Sequence, residues 1–313
     1  MKKPQDKKMA NPIIRRSVLQ LVGHYYPRKK ITVRALDGGI TNHVFLVHAG
    51  KNEMVVRISE EKEKINSFLK EQWAVTKARA RKIPVPEIIE VGNTIIPFPY
   101  MISAKVRGVV ALDHPHRKEI LFEMGRLAAR IHKIGTHGYG NFFDWSSDML
   151  SHNIQWKDFL EGELDYRSRL GILKEHRMLS SAAIKKITAT INKLSGSDAQ
   201  PCLQHGDLRL KNMMVDKTGK ITAILDWEDC ISAIGPAWDI SIALHDLPIE
   251  GQQRFLEGYG LKGTALEEIG TAYKTFNLLN YAPVIAQLSQ EKKEDELEWY
   301  RSRMQGAMDL FSF

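Results

Sequence analysis

Cysteine is scarce in this sequence, and long apolar runs are lacking. The 313 residues include two cysteines, Cys202 and Cys230, with neither a CxxC pair nor a Cys/His cluster at zinc-ligand spacing. This scarcity argues against a disulfide scaffold and a structural zinc site. No apolar run reaches the length of about 18 residues that a membrane-spanning helix requires. The first apolar stretch is broken by Arg15 and Arg16, unlike a secretory signal, so we expect a cytoplasmic protein with no membrane partner.

A long block of lysine and arginine is also missing. The net charge is +8, but four of the lysines lie within the first ten residues: Lys2, Lys3, Lys7 and Lys8. The remaining basic excess is mild, and it is compatible with a phosphorylated ligand. We therefore expect a small-molecule partner and no nucleic acid. We also expect the chain to be a monomer or a weak homodimer.

The pattern of the sequence changes near residue 105. Before this point, alternating apolar and polar residues predict strands, and the spacing of Phe68 and Val75 predicts a helix over 61–82. The predicted strands are 31–36, 43–49, 53–58, 87–91 and 100–104. After Gly108 mainly helices are predicted, the first over 114–133 with Asp113 as its N-cap. Further helices are predicted near 154–165, 178–194, 237–246, 250–258, 265–287 and 291–311.

These elements define an α+β fold class. A chain of 313 residues is at the upper edge of what one hydrophobic core supports, so two lobes are expected. The change of pattern puts their boundary between 104 and 105. The N-terminal lobe is then 1–104, and the C-terminal lobe is 105–313.

Short β pieces interrupt the helical part over 203–226, and this segment carries the chemistry. It contains HGDLRLKN at 205–212 and ILDWE at 224–228. Phosphoryl transfer to a hydroxyl requires a carboxylate near the attacking oxygen and oxygen ligands for Mg²⁺. Asp207 and Asn212, five residues apart, and Asp226 at the end of the next strand supply that set. The spacing matches the D-x-x-x-x-N and downstream Asp of kinase catalytic loops.

These motifs resemble the aminoglycoside phosphotransferase and choline kinase-like family, a small-molecule branch of the protein-kinase-like fold. The stretch GPAWD at 235–239 is also similar to that family. Protein kinases have H-R-D, D-F-G and A-P-E, whereas Gly206 and Trp227 stand here and no A-P-E follows. The resemblance implies a two-lobed fold with a small antiparallel-sheet N-lobe that binds nucleotide. The larger, mainly helical C-lobe would hold the catalytic and acceptor sites.

The resemblance also implies roles for residues of the catalytic loop. Asp207 would be the catalytic base or the residue that orients the acceptor hydroxyl, and Asn212 and Asp226 would bind Mg²⁺. His205 and Asp239 would support the loop. Arg209 and Lys211 stay open between a phosphate contact and a solvated surface charge.

A nucleotide site in the N-lobe is implied in the same way. Four residues of the 37–42 loop would lie over the phosphates of ATP: Gly38, Gly39, Thr41 and Asn42. Arg57, on the third strand, would bind the α and β phosphates, and Glu71 on the following helix would be its partner. Backbone groups near Ala104 and Val106 would contact adenine.

The sequence gives less information about the acceptor. The motifs most resemble kinases of aminoglycoside-type antibiotics. Choline, ethanolamine, homoserine or a sugar derivative is the alternative, and a non-catalytic nucleotide-binding scaffold is a further one. Acidic residues interleaved with aromatics near 156–166 and 291–300 are candidates for binding a cationic acceptor. A solvated helix face is the favoured interpretation of both clusters.

Overall fold

The computed structural model of the protein describes residues 11–36, 42–142, 153–196, 199–245 and 247–309. Its strands are β1 (Ile31–Ala35), β2 (His43–Ala49), β3 (Asn52–Ile58), β4 (Ile88–Gly92), β5 (Tyr100–Ala104), β6 (Val109–Val110), β7 (Pro201–Gln204), β8 (Met213–Val215), β9 (Ile221–Ile224) and β10 (Ile231–Ile234). Its helices are α1 (Pro12–Tyr25), α2 (Lys64–Ala80), α3 (Arg117–Ile131), α4 (Trp156–Asp158), α5 (Tyr166–Glu175), α6 (Ser181–Ser195), α7 (Ala237–Ala243), α8 (Ile249–Tyr259), α9 (Thr264–Gln290) and α10 (Glu294–Asp309). No helix of the described ranges is both long and apolar enough to cross a membrane.

The N-terminal part is built on an antiparallel sheet of five described strands in the order β1-β2-β3-β5-β4. The β2–β3 hairpin pairs Ala49 with Asn52 and turns through Gly50, whose φ is +64°. Helix α1 begins at a favourable cap, because the side chain of Asn11 accepts from Ile13 N and Pro12 follows it. Apolar residues of α1 pack with the sheet to form one core.

Helix α2 connects this sheet to the rest of the protein. Its buried residues Ala74, Val75 and Ala78 belong to a core that also contains residues of α3 and β7, such as Met124 and Leu203. The opposite end of the helix brings Phe68 and Glu71 to the sheet side. One helix therefore positions a carboxylate against β3 while it is fixed to the C-terminal part.

The C-terminal part has two centres of packing. Helix α3 crosses α8 so closely that a Cβ on Gly258 would lie 1.9 Å from the carbonyl oxygen of Phe122. A second core joins α5, α6, α9 and α10 and contains Trp156, Phe159 and Phe276. Between them, β7 pairs with β10, and β6, β8 and β9 form a small sheet. The predicted α+β, two-lobed fold class is confirmed.

Some local predictions were wrong. The first helix of the C-terminal part starts at Arg117, after His116, and not at Asp113, which closes a 3-10 turn. Pro115 explains the shift, because the residue before a proline is driven out of the helical region, and His114 is extended with ψ 138°. The predicted helix near 154–165 is the short α4 followed by a π-helical turn at Phe159–Glu163. The sequence analysis also missed α5, β6 and β10.

Candidate active site

The two sequence motifs lie next to each other because their flanking strands pair. In the β7–β10 pair Gln204 lies opposite Ile231, and in the β8–β9 pair Met213 lies opposite Ile224. The loop 205–212 and the segment 225–230 therefore leave these strands side by side. The N–H of Leu225 donates to the carbonyl oxygen of Asn212 at 2.8 Å and fixes their register.

Gly206 has a backbone conformation and a position that exclude a side chain. Its φ is +83°, in the left-handed region that favours glycine. A Cβ there would lie 1.8 Å from the carbonyl oxygen of Asp229. The glycine of the HGD motif thus lets the catalytic loop lie directly on the segment that carries Asp226.

Asp239, at the start of α7, holds the beginning of the catalytic loop. Its carboxylate accepts from the backbone N–H of His205 at 2.7 Å and of Gly206 at 2.8 Å. The Nε2 atom of His132 lies 3.0 Å from the same carboxylate. Burial alone would raise the pKa of Asp239, but the hydrogen bond and attraction of His132 and the backbone bond hold it below its usual value. His132 was not among the residues singled out from the sequence.

Replacing Asp239 by alanine should lower the free energy of unfolding by about 3–5 kcal/mol, because two buried N–H groups and His132 lose their acceptor. Chemical denaturation at neutral pH measures this effect. The contribution is present above the ordinary carboxyl pKa of about 3.9 and is lost as the pH falls through the lower, folded-state pKa. The exposed Asp113→Ala should change stability by less than about 0.5 kcal/mol. Equal effects of the two variants would contradict the assigned role.

His205 connects the catalytic loop to the Asp226 segment. It is fully buried, its Nε2 donates to the carbonyl oxygen of Leu225 at 2.9 Å, and its Nδ1 accepts from the N–H of Asp207 at 3.2 Å. The ring packs on Trp227 with centroids 4.6 Å apart. One imidazole therefore sets the relative position of Asp207 and the residue that follows Leu225, which is Asp226.

Asp207 is surrounded by groups of its own loop. Asn212 donates through Nδ2 to the backbone oxygen of Asp207 at 2.8 Å and to its Oδ2 at 2.9 Å. Arg209 Nε lies 2.8 Å from Oδ1, and Lys211 Nζ lies 2.7 Å from Oδ2. Because the amide nitrogen of Asn212 is engaged, its Oδ1 oxygen is the atom that remains for a cation. The two cations left open by the sequence analysis thus both contact the predicted base.

Asp226 lies in a cluster of three carboxylates with Glu71 and Glu228, whose oxygens lie within 4.8 Å of one another. Its φ of +65° is unusual for a residue with a side chain. Burial and the charge of Glu228 raise the pKa of Asp226, while Arg57 acts in the opposite direction. Burial likewise raises the pKa of Glu71 in spite of Arg57. The cluster is an electrostatic environment that favours a bound cation.

Arg57 and Glu71, which were paired on sequence grounds, are in direct contact. Arg57 leaves β3 opposite Met101, and its Nη1 lies 3.6 Å from Asp226 Oδ1. Burial would lower the pKa of Arg57, but Glu71, Asp226 and Glu228 together raise it. The guanidinium of Arg57 therefore connects the sheet with α2 and with the Asp226 segment. These three parts meet where the N-terminal sheet faces the catalytic loop.

Replacing Arg57 by methionine should raise the KM for ATP about tenfold to a hundredfold, because a fork of charge-assisted hydrogen bonds to phosphate is lost. The effect on kcat should be smaller. Steady-state kinetics with varied ATP separate the two constants. Arg81→Met, at an exposed position after α2, is the matched control and should leave both unchanged. An unaltered KM for ATP in Arg57→Met would count against the phosphate role.

Glu228 is a further residue of the carboxylate cluster, to which the sequence analysis assigned no role. Lys64 at the start of α2 lies 2.9 Å from its Oε2 oxygen, and Asn42 Nδ2 lies 3.5 Å from the same atom. Its position two residues after Asp226 was the available signal. Nothing in the sequence pointed to Lys64 as a residue of the site, because it is one of several charged residues at the start of a helix. Asn42 is the described end of the predicted phosphate loop, while Gly38, Gly39 and Thr41 lie outside the described residues.

The predicted adenine contacts lie at the end of β5. The N–H of Ala104 donates to the carbonyl oxygen of Glu87 at 2.8 Å, so only its carbonyl group remains for a nucleotide. Val106 is half-buried in the segment that leads to β6. This geometry narrows the prediction at Ala104 to one backbone atom.

A cavity of about 470 Å³ opens beside the catalytic loop. Gly206, Arg209 and Asp229 line it, and residues of α5, α7, α9 and α10 complete its wall. The acidic candidates near 158–165 and 291–298 are not among the described residues that line it. Trp156, Phe159 and Tyr166 are core residues with 2–3% exposure. The cavity size is that of a site for a small organic molecule.

The donor set fits Mg²⁺. Asp226 and the Oδ1 atom of Asn212 offer hard oxygen ligands, and the raised pKa of Asp226 fits a carboxylate that needs a cation. The described residues include no cluster of cysteine and histidine ligands, which a softer metal would favour.

An antiparallel sheet beside a helical lobe, with an Asp–Asn loop and a following Asp at their junction, is the two-lobed protein-kinase-like fold. The chain belongs to the phosphotransferase enzyme family APH, which matches residues 32–271. The family resemblance of the motifs is thereby confirmed. Hygromycin-B 4-O-kinase of Escherichia coli is 21% identical over 207 residues. This match covers 63% of the present chain, which spans 57% of that relative.

Solved structures are similar over nearly the whole chain. Aminoglycoside phosphotransferase APH(4)-Ia has a TM-score of 0.72 at 16% identity, with 96% of this chain and 100% of that chain covered. A thermostable mutant of it, in a ternary complex with ADP and hygromycin B, has a TM-score of 0.68 at 17% identity over 95% and 99%. Macrolide 2'-phosphotransferase MphH from Brachybacterium faecium has a TM-score of 0.60 at 14% identity over 92% and 98%. At these identities the likeness establishes the fold.

Proposed function

We propose that the protein is an ATP- and Mg²⁺-dependent O-phosphotransferase that transfers the γ-phosphoryl group directly to a hydroxyl of a small molecule. The observation that carries this proposal is the contact of Asn212 with Asp207, joined by His205 to the segment of Asp226. This arrangement supplies a base and cation ligands at one point, as phosphoryl transfer requires. Membership of the phosphotransferase family supports it.

The proposed roles use the contacts described above. The hydroxyl oxygen of the acceptor attacks the γ-phosphorus, the bond to the β-phosphate oxygen breaks, and the hydroxyl proton passes to the Asp207 carboxylate. Arg209 and Lys211, which contact Asp207, are close enough to stabilise charge on the transferring group. Asn212 and Asp226 would hold Mg²⁺, which offsets negative charge on the phosphates when bound. Since transfer is direct, no covalent enzyme intermediate forms.

The N-terminal lobe, 1–104, would bind the nucleotide, and the C-terminal lobe, 105–313, would supply the base and the acceptor site. Arg57 and Glu71 support this division, because they connect the sheet to Asp226. The remaining nucleotide contacts would come from the loop 37–42 and the backbone near Ala104 and Val106. An enzyme that consumes ATP would act in the cytoplasm.

An aminoglycoside-type acceptor is the candidate favoured by the relatives. Hygromycin-B 4-O-kinase and APH(4)-Ia are named for such activities. A metabolic alcohol is the alternative. The described lining of the cavity carries more positive than negative side chains, which favours a sugar derivative over the cations choline and ethanolamine. A non-catalytic scaffold is disfavoured, because Asp207, Asn212 and Asp226 are all present.

The test combines nucleotide binding with product detection. Mg²⁺ and AMP-PNP together should raise the Tm measured by thermal unfolding, and EDTA should abolish this rise. A mixed panel of hydroxyl compounds with Mg²⁺ and ATP should then yield ADP together with an acceptor one phosphoryl group heavier by mass spectrometry. The proposal would be refuted if Mg²⁺ and AMP-PNP did not raise the Tm and if no acceptor of the panel gave ADP and a phosphorylated product.

A further inference from the structure

The described lining of the cavity beside the catalytic loop carries more positive than negative side chains, whereas a polycationic acceptor requires a negatively charged site. Among the described residues that line it, Arg169, Arg209 and Arg303 carry guanidinium groups, whereas Asp229 carries the carboxylate. Arg209 is already bound to Asp207. A polycation would have to lose its hydration next to like charges, which raises the cost of binding.

Arg169 has a defined position in the wall of the cavity. It lies on α5, and its Nη1 donates to the carbonyl oxygen of Leu279 at 3.4 Å and to Asn280 Oδ1 at 3.3 Å. The carbonyl of Leu279 is exposed to this contact because Pro283, four residues later in α9, has no N–H to donate to it. Because Pro283 leaves this carbonyl without a helical donor, the carbonyl can hold the guanidinium of Arg169 at the cavity wall.

The partners of Arg169 are neutral. No carboxylate oxygen of the described residues lies within the 4.0 Å of an ion pair, and both hydrogen bonds use the same nitrogen, Nη1. Burial lowers the pKa of Arg169, and the more distant Asp165 offsets this only in part. Arg57 is a useful contrast, because its carboxylate neighbours raise its pKa in spite of burial.

A structural role for Arg169 accounts for only part of its hydrogen-bonding capacity. A guanidinium has five N–H donors in a rigid fork that matches a carboxylate or a phosphate. Holding the Leu279 carbonyl engages one nitrogen. A charged group kept at a cavity wall without a counter-ion among the described residues costs stability, and an anionic ligand would offset that cost.

We propose that the acceptor is a hydroxyl compound that also carries an anionic group, a carboxylate or a phosphate, which Arg169 binds. This inference rests on the phosphotransferase function proposed above and names the substrate class of the same site. Apolar surface of Trp238 and Val284 in the cavity wall would pack on the carbon skeleton. The anionic group itself stays unchanged during the transfer, since only the hydroxyl reacts.

Thermal unfolding in the presence of saturating Mg²⁺ and ADP tests the inference, because the occupied nucleotide site cannot bind the probe. The carboxylate probe is gluconate, compared with neutral gluconamide and cationic glucosamine. The phosphate probe is glucose 6-phosphate, compared with glucose. The two anionic probes distinguish a carboxylate site from a phosphate site.

At least one anionic probe should stabilise the wild type more than its neutral counterpart does. In Arg169→Gln its apparent Kd should weaken about tenfold to a hundredfold, as expected for the loss of a charge-assisted fork. Arg167→Gln is the matched control: this neighbour on α5 is exposed and paired with Glu161, and it should behave as wild type. Equal binding in Arg169→Gln, preference for glucosamine, or no stabilisation by either anion would overturn the inference.

Two further measurements distinguish failure of the acceptor inference from a folding defect and from failure of the phosphotransferase proposal. Arg169→Lys retains the charge without the fork and should bind the anion with intermediate affinity, so it replaces the glutamine variant if that variant does not fold. The rise in Tm caused by Mg²⁺ and ADP alone reports on the proposed function. If that rise is absent, the phosphotransferase proposal fails. If it is present and the anion has no effect, only the acceptor inference fails.

Discussion

Asp207→Asn should lower kcat by a factor of about 10²–10⁴, the usual contribution of a positioned general base, while nucleotide binding stays close to that of the wild type. The carboxylate is the group that would accept the hydroxyl proton, and an amide cannot accept it. Nucleotide contacts are assigned to other residues, including Arg57 and Asp226. The KM for ATP and the Tm rise with Mg²⁺ and AMP-PNP should therefore change little.

The replacement is conservative in structure. The amide oxygen of an asparagine can still accept from Asn212 Nδ2, and the backbone oxygen at this position keeps its own bond to the same atom. What is lost is the charge that faces Arg209 and Lys211. The loop should therefore keep its shape, and the loss of rate should come from the missing base.

Rates with a common acceptor, measured by ADP release and by product mass, test this prediction. Asp216→Asn is the control, because Asp216 is a half-buried aspartate in the turn after β8 whose Oδ1 accepts from Thr218 N, a bond that an amide oxygen preserves. Its kinetics should match those of the wild type. Full activity in Asp207→Asn, or a collapse of ATP affinity, would show that Asp207 has another role.

The sequence was informative where the chemistry is local. Asp207 and Asn212 are five residues apart, so their contact depends on one loop. The short β pieces around 203–226 correctly indicated that Asp226 returns to that loop. Arg57 and Glu71 could be paired because the family resemblance implies a basic residue on the third strand and a Glu on the following helix, and Glu71 shares a helix face with Phe68 and Val75.

Features that depend on distant packing could not be predicted. Nothing in the local sequence connects Arg169 with Leu279, because their contact requires α5 to pack on α9 and a proline to free the carbonyl. The same holds for His132 and Asp239, which are 107 residues apart. The cavity beside the catalytic loop is assembled from separate segments of the chain. Tyr300 of the 291–300 cluster lines it, but the acidic residues of both sequence clusters do not.

Asp226→Asn should abolish measurable turnover and remove the Mg²⁺-dependent part of nucleotide binding. The Oδ1 oxygen of Asp226 lies 3.6 Å from Nη1 of Arg57, and the segment of Asp226 is joined to the catalytic loop by the hydrogen bond from His205 to the carbonyl oxygen of Leu225. Losing a charged ligand of a catalytic cation typically costs several kcal/mol, or about a thousandfold or more in rate. Asparagine is the appropriate replacement because it tolerates the left-handed backbone, with φ +65° at this position.

The ligand-free Asp226→Asn variant should be at least as stable as the wild type, although its activity is lost. The pKa of Asp226 is raised by burial and by Glu228, so its ionised form at neutral pH opposes folding. Removing the charge should leave the Tm without ligand unchanged or higher, while the Tm rise with Mg²⁺ and AMP-PNP disappears. Asp216→Asn should retain that rise. A variant that loses activity together with ligand-free stability would indicate that Asp226 supports the fold, whereas loss of the Mg²⁺ response alone identifies a cation ligand.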